Sequence, residues 1–138
     1  MIEPGHHFEW VWLLTQAARA GLGEFSEPAS RLYGRAMRDG FDAQGFVVRE
    51  LGRDGGVLDG GRRLWAQTEA IRAMATMGDD DAAAGLVERV LDTHLATATP
   101  GLWIDSYDVA GRACNETVPA STLYHLMTAF SAMMRSEA

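Results

Sequence analysis

The sequence predicts an all-α domain in which inner and outer helices alternate, as they do in an α/α toroid. Helix signals recur along the 138 residues, which is the length of one domain. Two of the five predicted helices are amphipathic, so each keeps one face in water. The other three are apolar or small on nearly every side, which is typical of a helix enclosed by neighbours. Alternation of the two kinds indicates helical hairpins stacked around a central axis.

The ends of the five predicted helices follow from local signals. Proline suits a first helical turn, serine caps a helix, acidic residues favour its N-terminus and glycine stops it. The first helix is expected to begin after Pro4, and the second with Ser26 as its cap. The third is expected to stop at Gly78, and the fourth to begin with the acidic run 79–81. The expected helices span about 6–19, 26–39, 64–77, 79–96 and 121–135.

Two glycine-rich connections, 41–63 and 100–119, separate the helices. Short alternating runs at 46–49 and 102–104 predict small β-hairpins in them. The connections also begin an internal repeat, because the alignment that pairs Gly45 with Gly101 also pairs Glu69 with His125. A repeat of this length indicates stacked helical hairpins.

Composition narrows the classes of partner. The net charge is -7 and all twelve basic residues are arginine, so no basic stripe is available for nucleic acid. The single cysteine, Cys114, excludes an internal disulfide, and the N-terminus lacks the pattern of a secretory signal, which makes the cytoplasm the expected compartment. The least charged stretch, 117–134, is too polar for a membrane span. We therefore expect neither nucleic acid nor membrane as a partner.

The ionisable residues of the inner helices lie in their first turns. His6 and Glu9 share a face of the first helix, Glu69 lies in the third and His125 in the fifth. His7 is turned about 100° from His6 and is expected to support the site or to face solvent. Inner helices of a toroid run in one direction, so these residues are expected to converge on one rim. Imidazole exchanges protons near neutral pH and a carboxylate orients it, which predicts an acid/base site.

Structural alternatives stay open for the same residues. Glu9 and Glu69 also suit a cap or helix-dipole role, and Glu69 suits a surface pair with Arg72. Trp65 fits either a core position or stacking on the apolar face of a sugar. His94, near the end of the fourth helix, is expected to face solvent or the helix C-terminus.

A metal site is the weaker interpretation of the histidines. His6, His7 and Glu9 are potential ligands, yet the sequence holds no HExxH or CxxC spacing. We expect no metal.

Three motifs together carry a family resemblance. They are "PGHHFEW" at 4–10, "RLWAQTEAIRA" at 63–73 and "PASTLYHL" at 119–126. In order and context they resemble motifs of the N-acylglucosamine 2-epimerase superfamily, which includes mannose isomerases and cellobiose 2-epimerases. The resemblance covers nearly the whole chain but only the C-terminal part of the family's longer (α/α)6 barrels, and it implies a single domain over 1–138.

The resemblance implies roles for six residues. His6 and His125 are implied to be the acid/base pair, supported by Glu9 and Glu69. Trp65 and Gln67 are implied to bind the substrate. The implied reaction is cofactor-independent proton transfer between C1 and C2 of an open-chain aldose through an enediolate.

The form of the motifs favours mannose–fructose isomerisation over 2-epimerisation of N-acylglucosamine or cellobiose. The acylglucosamine branch often carries an arginine where this chain has Thr128. Two other classes stay open, namely a non-catalytic sugar-binding remnant and glycoside hydrolysis by Glu69 with Asp105 or Asp108.

The resemblance also implies that earlier hairpins, with an arginine and a further histidine, are absent before His6. We therefore expect a fragment with exposed apolar surface on its inner helices, weak or no activity on its own, and self-association through those helices.

Overall fold

Five helices form the body of the protein. The computed structural model describes residues 1–114 and 117–136. The helices in these ranges are α1 (Pro4–Arg19), α2 (Ser26–Asp39), α3 (Leu64–Met77), α4 (Asp80–Asp92) and α5 (Ser121–Ser136). Four short strands lie in the connections: β1 (Glu50–Leu51), β2 (Val57–Asp59), β3 (Arg62–Arg63) and β4 (Ser106–Tyr107).

The helices form two layers with α3 at the centre. It packs against α1 on one side and α5 on the other, and these three form the inner row. The outer helices α2 and α4 pack against α1 and α3 respectively. The core lies between the layers, where Phe8, Val11, Ile71, Leu86 and Val90 are buried. The predicted alternation of inner and outer helices is confirmed.

The inner helices run in the same direction. Gly5 at the start of α1 lies against Trp65 at the start of α3. Two turns later, the guanidinium of Arg72 contacts the ring of Trp12 on α1 and the hydroxyl of Thr128 on α5. Matching turns are therefore adjacent, and the three N-termini lie at one end of the row.

Most helix boundaries agree with the local signals. α3 ends before Gly78, which adopts φ +79°, a left-handed conformation that glycine takes without strain. Ser26 is not a cap as expected, since it is already helical and Phe25 precedes it without a side-chain cap hydrogen bond. α4 stops at Asp92 instead of about residue 96, because the carbonyl of His94 accepts a hydrogen bond from the Ile104 backbone.

The strands differ from the predicted hairpins. Val47 forms an isolated antiparallel bridge with Phe41, so part of the hairpin expected at 46–49 is present, and β1 pairs antiparallel with β2. Residues 102–104 form no strand; instead β4 pairs antiparallel with β3. The second connection therefore pairs with the last residues of the first connection, immediately before α3, in addition to its own internal contacts.

The two flanking helices of the inner row, α1 and α5, carry exposed apolar side chains. On α1 these include Trp10, and on α5 they include Tyr124 and Met127, which are 58% and 59% exposed. This confirms the expected exposed apolar surface, while self-association through it stays a prediction. None of the helices in the described ranges has the length and apolarity to cross a bilayer.

Candidate active site

Trp65 on the first turn of α3 lies beside both predicted catalytic histidines. Its ring centroid is 4.9 Å from that of His6 on α1 and 6.0 Å from that of His125 on α5. Parallel inner helices bring these first turns together, because each begins at the same end of the row. Two imidazoles that are far apart in sequence therefore border one indole.

His6 is the more accessible of the two histidines. Its side chain is 54% exposed, and Nδ1 lies 3.5 Å from a carboxylate oxygen of Glu3. Gly5 allows the close approach of α1 to α3, since a Cβ at this position would lie 2.7 Å from the indole of Trp65. His6 is thus held at the mouth of the site, on the edge of the indole.

His125 is held more tightly. Nδ1 lies 2.6 Å from Oε1 of Glu69, whose side chain has no solvent exposure. A carboxylate only accepts hydrogen bonds, so Nδ1 carries the proton and donates it. The other ring nitrogen, Nε2, is then unprotonated in the neutral imidazole and can accept a proton.

The second oxygen of Glu69 forms an ion pair with Arg72. Arg72 is 2% exposed, with its guanidinium 4.3 Å from the ring centroid of Trp12 and Nη1 3.3 Å from Oγ1 of Thr128. From the sequence, a surface pair of Glu69 with Arg72 was an alternative to a role of Glu69 in the acid/base site. The pair exists, but it is buried and also contacts His125.

Glu9 and His7 differ in their surroundings. Glu9 lies one turn after His6 and is partly exposed, and no hydrogen bond joins it to the residues that the structure describes. His7 faces α2, where it lines a cavity of about 480 Å³ with Arg35. Burial, then the charge of Arg35, and then His6, lower the pKa of His7 from its usual value. It therefore lies outside the site formed around Trp65.

Gln67 is fully buried and bonded to the backbone. Its side chain accepts a hydrogen bond from the Val47 N–H over 2.8 Å and donates to the Val47 carbonyl over 2.9 Å. It also donates to the Arg63 carbonyl. These bonds hold the first connection against α3, so Gln67 is not in a position to touch a ligand as the resemblance implied.

His94 is a buried residue that the sequence analysis misplaced. It has no solvent exposure, Nδ1 donates to the Ile104 carbonyl over 2.6 Å, and the ring lies between Phe46 and Tyr107. Burial lowers the pKa of His94, partly offset by that hydrogen bond. The expectation that it faces solvent is wrong. The sequence signals placed His94 inside the predicted helix 79–96, whereas α4 ends at Asp92 and His94 follows it.

Each of the three carboxylates considered for glycoside hydrolysis is hydrogen-bonded or ion-paired. Asp105 is buried and accepts a hydrogen bond from Thr122, while Asp108 closes a turn with Arg112. Glu69 uses one oxygen for His125 and the other for Arg72. None of Glu69, Asp105 and Asp108 is therefore a free carboxylate.

A polar cavity of about 450 Å³ lies beside the paired strands β3 and β4. It is lined by Glu3, Arg49, Glu50, Arg63, Asp105 and Ser106. The carboxylate of Glu3 also lies 3.5 Å from Nδ1 of His6, so this residue separates the cavity from that imidazole. Within the described ranges, no group of three or more His, Cys, Asp and Glu side chains is arranged to hold a metal ion.

Comparisons with known proteins agree on one family. A family model described as N-acylglucosamine 2-epimerase matches residues 1–129. A protein of Rhizobium meliloti (strain 1021) named mannose-6-phosphate isomerase is 39% identical over 140 residues, covering 94% of this chain and 36% of the relative.

Solved structures show the same fold. A D-mannose isomerase superposes with a TM-score of 0.80 at 23% identity, over 98% of this chain and 37% of that protein. Cellobiose 2-epimerase from Spirochaeta thermophila DSM 6192 gives 0.78 at 22% identity, over 99% and 38%. The chain thus spans a little over a third of these relatives. The predicted fold class, part of an α/α toroid, is confirmed.

Proposed function

Because the chain belongs to the N-acylglucosamine 2-epimerase family, we propose that it carries the acid/base histidines of a sugar isomerase. His6 and His125 move a proton between C1 and C2 of an open-chain aldose. The observation that carries the proposal is the contact of both imidazoles with the single indole of Trp65. A sugar stacked on this indole would have both imidazoles at its edge.

His125 acts as the base at C2. Its Nδ1–H is bonded to Glu69, so Nε2 is the nitrogen that accepts the proton. The electron pair of the broken C2–H bond forms the C1–C2 double bond, and the carbonyl oxygen at C1 takes up negative charge or a proton. Glu69 stabilises the imidazolium that results.

His6 acts at the other end of the enediolate. Proton delivery to C1, with loss of the hydroxyl proton at C2, gives a ketose. Proton delivery to C2 from the opposite face gives the 2-epimer instead. Glu9, one turn after His6 on the same helix face, supports this side of the site.

The substrate is an aldohexose of the mannose type. The relatives are named for mannose 6-phosphate, mannose and cellobiose, which share an aldehyde carbon next to a carbon that bears a hydroxyl. The polar cavity lined by Glu3, the residue that contacts His6, suits the distal hydroxyls, since its guanidinium groups donate and its carboxylates accept hydrogen bonds. The alternative is 2-epimerisation of N-acylglucosamine or cellobiose, which the product would reveal.

Isotope exchange in heavy water tests the proposal. The chain would be assayed alone and after replacing the matching segment of the Rhizobium meliloti relative. Mannose and mannose 6-phosphate would be followed by proton NMR. We expect deuterium at C1 of the ketose, or at C2 of the aldose, from the hybrid and little from the chain alone.

Neighbouring histidines provide the matched control. His6→Gln and His125→Gln should each abolish exchange in the hybrid, whereas His7→Gln should retain it because His7 faces α2. A folded hybrid that exchanges equally well with His6→Gln and His125→Gln would refute the proposed roles.

A further inference from the structure

Arg72 is the buried cation next to the proposed base. It lies one helical turn after Glu69 on α3, and only 2% of its side chain is exposed. Nη2 pairs with Glu69, Nη1 donates to Thr128, and the guanidinium stacks on Trp12. Its Nε is buried without a hydrogen-bond partner in the part of the chain that the structure describes. The group is therefore oriented by its two terminal nitrogens.

The charge of Glu69 needs this cation. A carboxylate with no solvent exposure is costly unless it is paired and hydrogen-bonded. A neutral imidazole supplies a hydrogen bond but no compensating charge. The guanidinium supplies both, and it occupies Oε2, so Oε1 alone remains for Nδ1 of His125.

We propose that Arg72 is a positioning residue that fixes the orientation and tautomer of His125 through Glu69. The inference rests on the proposed function in one respect, namely that His125 is the base. Arg72 itself does not touch the sugar. It sets which oxygen of Glu69 meets the imidazole, and hence which imidazole nitrogen stays unprotonated.

Arg72 also joins the two helices that carry the pair. Thr128 lies three residues after His125 on α5, and its hydroxyl accepts from Nη1 while donating to a backbone carbonyl of its own helix. Stacking on Trp12 of α1 restricts rotation of the guanidinium. One side chain thus contacts all three inner helices behind the site.

Loss of the guanidinium should remove the constraint on which nitrogen of the His125 imidazole carries the proton. Without the guanidinium, Oε2 of the buried Glu69 carboxylate loses its partner, so the carboxylate is no longer held in one orientation toward the ring. The hydrogen bond from Nδ1 to Oε1 would then weaken, and the tautomer with the proton on Nε2 would gain population. Nε2 would then no longer be available as the base.

Long-range proton–nitrogen NMR of ¹⁵N-histidine protein reads the tautomer without any turnover. The imidazole of His125 is identified by its absence in His125→Gln. We expect the neutral imidazole of wild type to hold the Nδ1–H form. In Arg72→Gln we expect the ratio of Nδ1–H to Nε2–H to fall by about tenfold or more. Arg72→Lys, which keeps the charge, should retain much of the wild-type ratio.

Two controls separate positioning from general damage. Arg112→Gln removes an exposed ion pair with Asp108 and should leave the His125 signals unchanged. Thr128→Val keeps the Arg72–Glu69 pair and should change them far less than Arg72→Gln does. Circular dichroism would show that each variant is folded.

The results that would overturn the proposal are as follows. An Nε2–H form in wild type overturns the proposal before any variant is made, and so does a folded Arg72→Gln protein with the wild-type ratio. If Arg72→Gln does not fold, Arg72→Lys is compared with Thr128→Val. A larger change of the His125 tautomer ratio in Thr128→Val than in Arg72→Lys then overturns the proposal. Absence of isotope exchange in the hybrid, together with these NMR results on the chain, would refute the proposed function and leave the role of Arg72 intact.

Discussion

The carboxylate of Glu69 accepts a hydrogen bond from Nδ1 of His125 over 2.6 Å, from a position with no solvent exposure. One residue is on α3 and the other on α5, so their contact depends on the packing of the inner helices. Because the acceptor is buried, water does not compete for the bond. The pair therefore gives the site a histidine with a defined proton position.

Glu69→Gln should lower both activity and stability. The amide can present its NH₂ to Nδ1 and so favour the wrong tautomer, and we expect kcat in the hybrid to fall on the order of 10²-fold or more. Arg72 would be left as a buried charge without its partner, which should cost roughly 3 kcal/mol in the free energy of unfolding. Urea denaturation measures the second effect independently of turnover. Wild-type kcat in this variant would contradict the role of Glu69.

Gly5→Ala should separate α1 from Trp65. The added Cβ would lie 2.7 Å from the indole and 2.9 Å from the Cβ of Ala66, so the helices must move apart. We expect a loss of about 1–3 kcal/mol and weaker sugar binding. Gly34→Ala is the matched control, since nothing lies within 4 Å of its Cβ position in α2. It should gain about 0.5–1 kcal/mol. Equal stabilities for the two variants would contradict the close approach at Gly5.

Gln67→Met should destabilise the first connection. It leaves the buried N–H and carbonyl of Val47 without their side-chain partner, at a cost of roughly 2–4 kcal/mol. Gln44→Met removes only an exposed side-chain hydrogen bond from Arg62 and should change the free energy of unfolding by less than about 1 kcal/mol. Chemical denaturation of both variants tests the difference. If Gln67→Met were the milder change, Gln67 would not hold the first connection against α3.

Acid should destabilise the protein through His94. Burial lowers its pKa in the folded state, so the unfolded chain binds the proton more readily. Its contribution is complete above the unfolded pKa of about 6.5 and is lost as the pH falls from there toward the folded value. Urea denaturation at about pH 7 and pH 5 should show this loss.

His94→Asn should reduce that loss on acidification, because an amide keeps a donor near the Ile104 carbonyl without titrating. His7→Gln should reduce it less, since His7 is only partly buried. An unchanged pH dependence in His94→Asn would rule out His94 as the titrating group.

The sequence predicted what local chemistry determines. Helix α3 ends at Met77 as expected, since Gly78 is free to take φ +79°. The meeting of His6 and His125 near Trp65 followed from placing ionisable residues on the first turns of parallel inner helices. Helix direction and turn number were enough for this prediction.

Features that depend on distant backbone groups were not predictable in the same way. Gln67 and His94 bond to carbonyls of Val47 and Ile104, and no spacing pattern marks such partners. α4 ends early for the same reason, through the bond between His94 and Ile104. The burial of Arg72 depends on packing by α1 and α5 together, which the sequence of α3 does not show.

The most direct test asks whether one sugar touches both imidazoles. Mannose, and mannitol as an open-chain analogue, would be titrated into ¹⁵N-histidine protein while the four imidazoles are followed by NMR. The account predicts that the His6 and His125 signals move together with one dissociation constant, while those of His7 and His94 stay in place. Movement of only one of the pair, or of neither up to the solubility limit of the sugar, would contradict it.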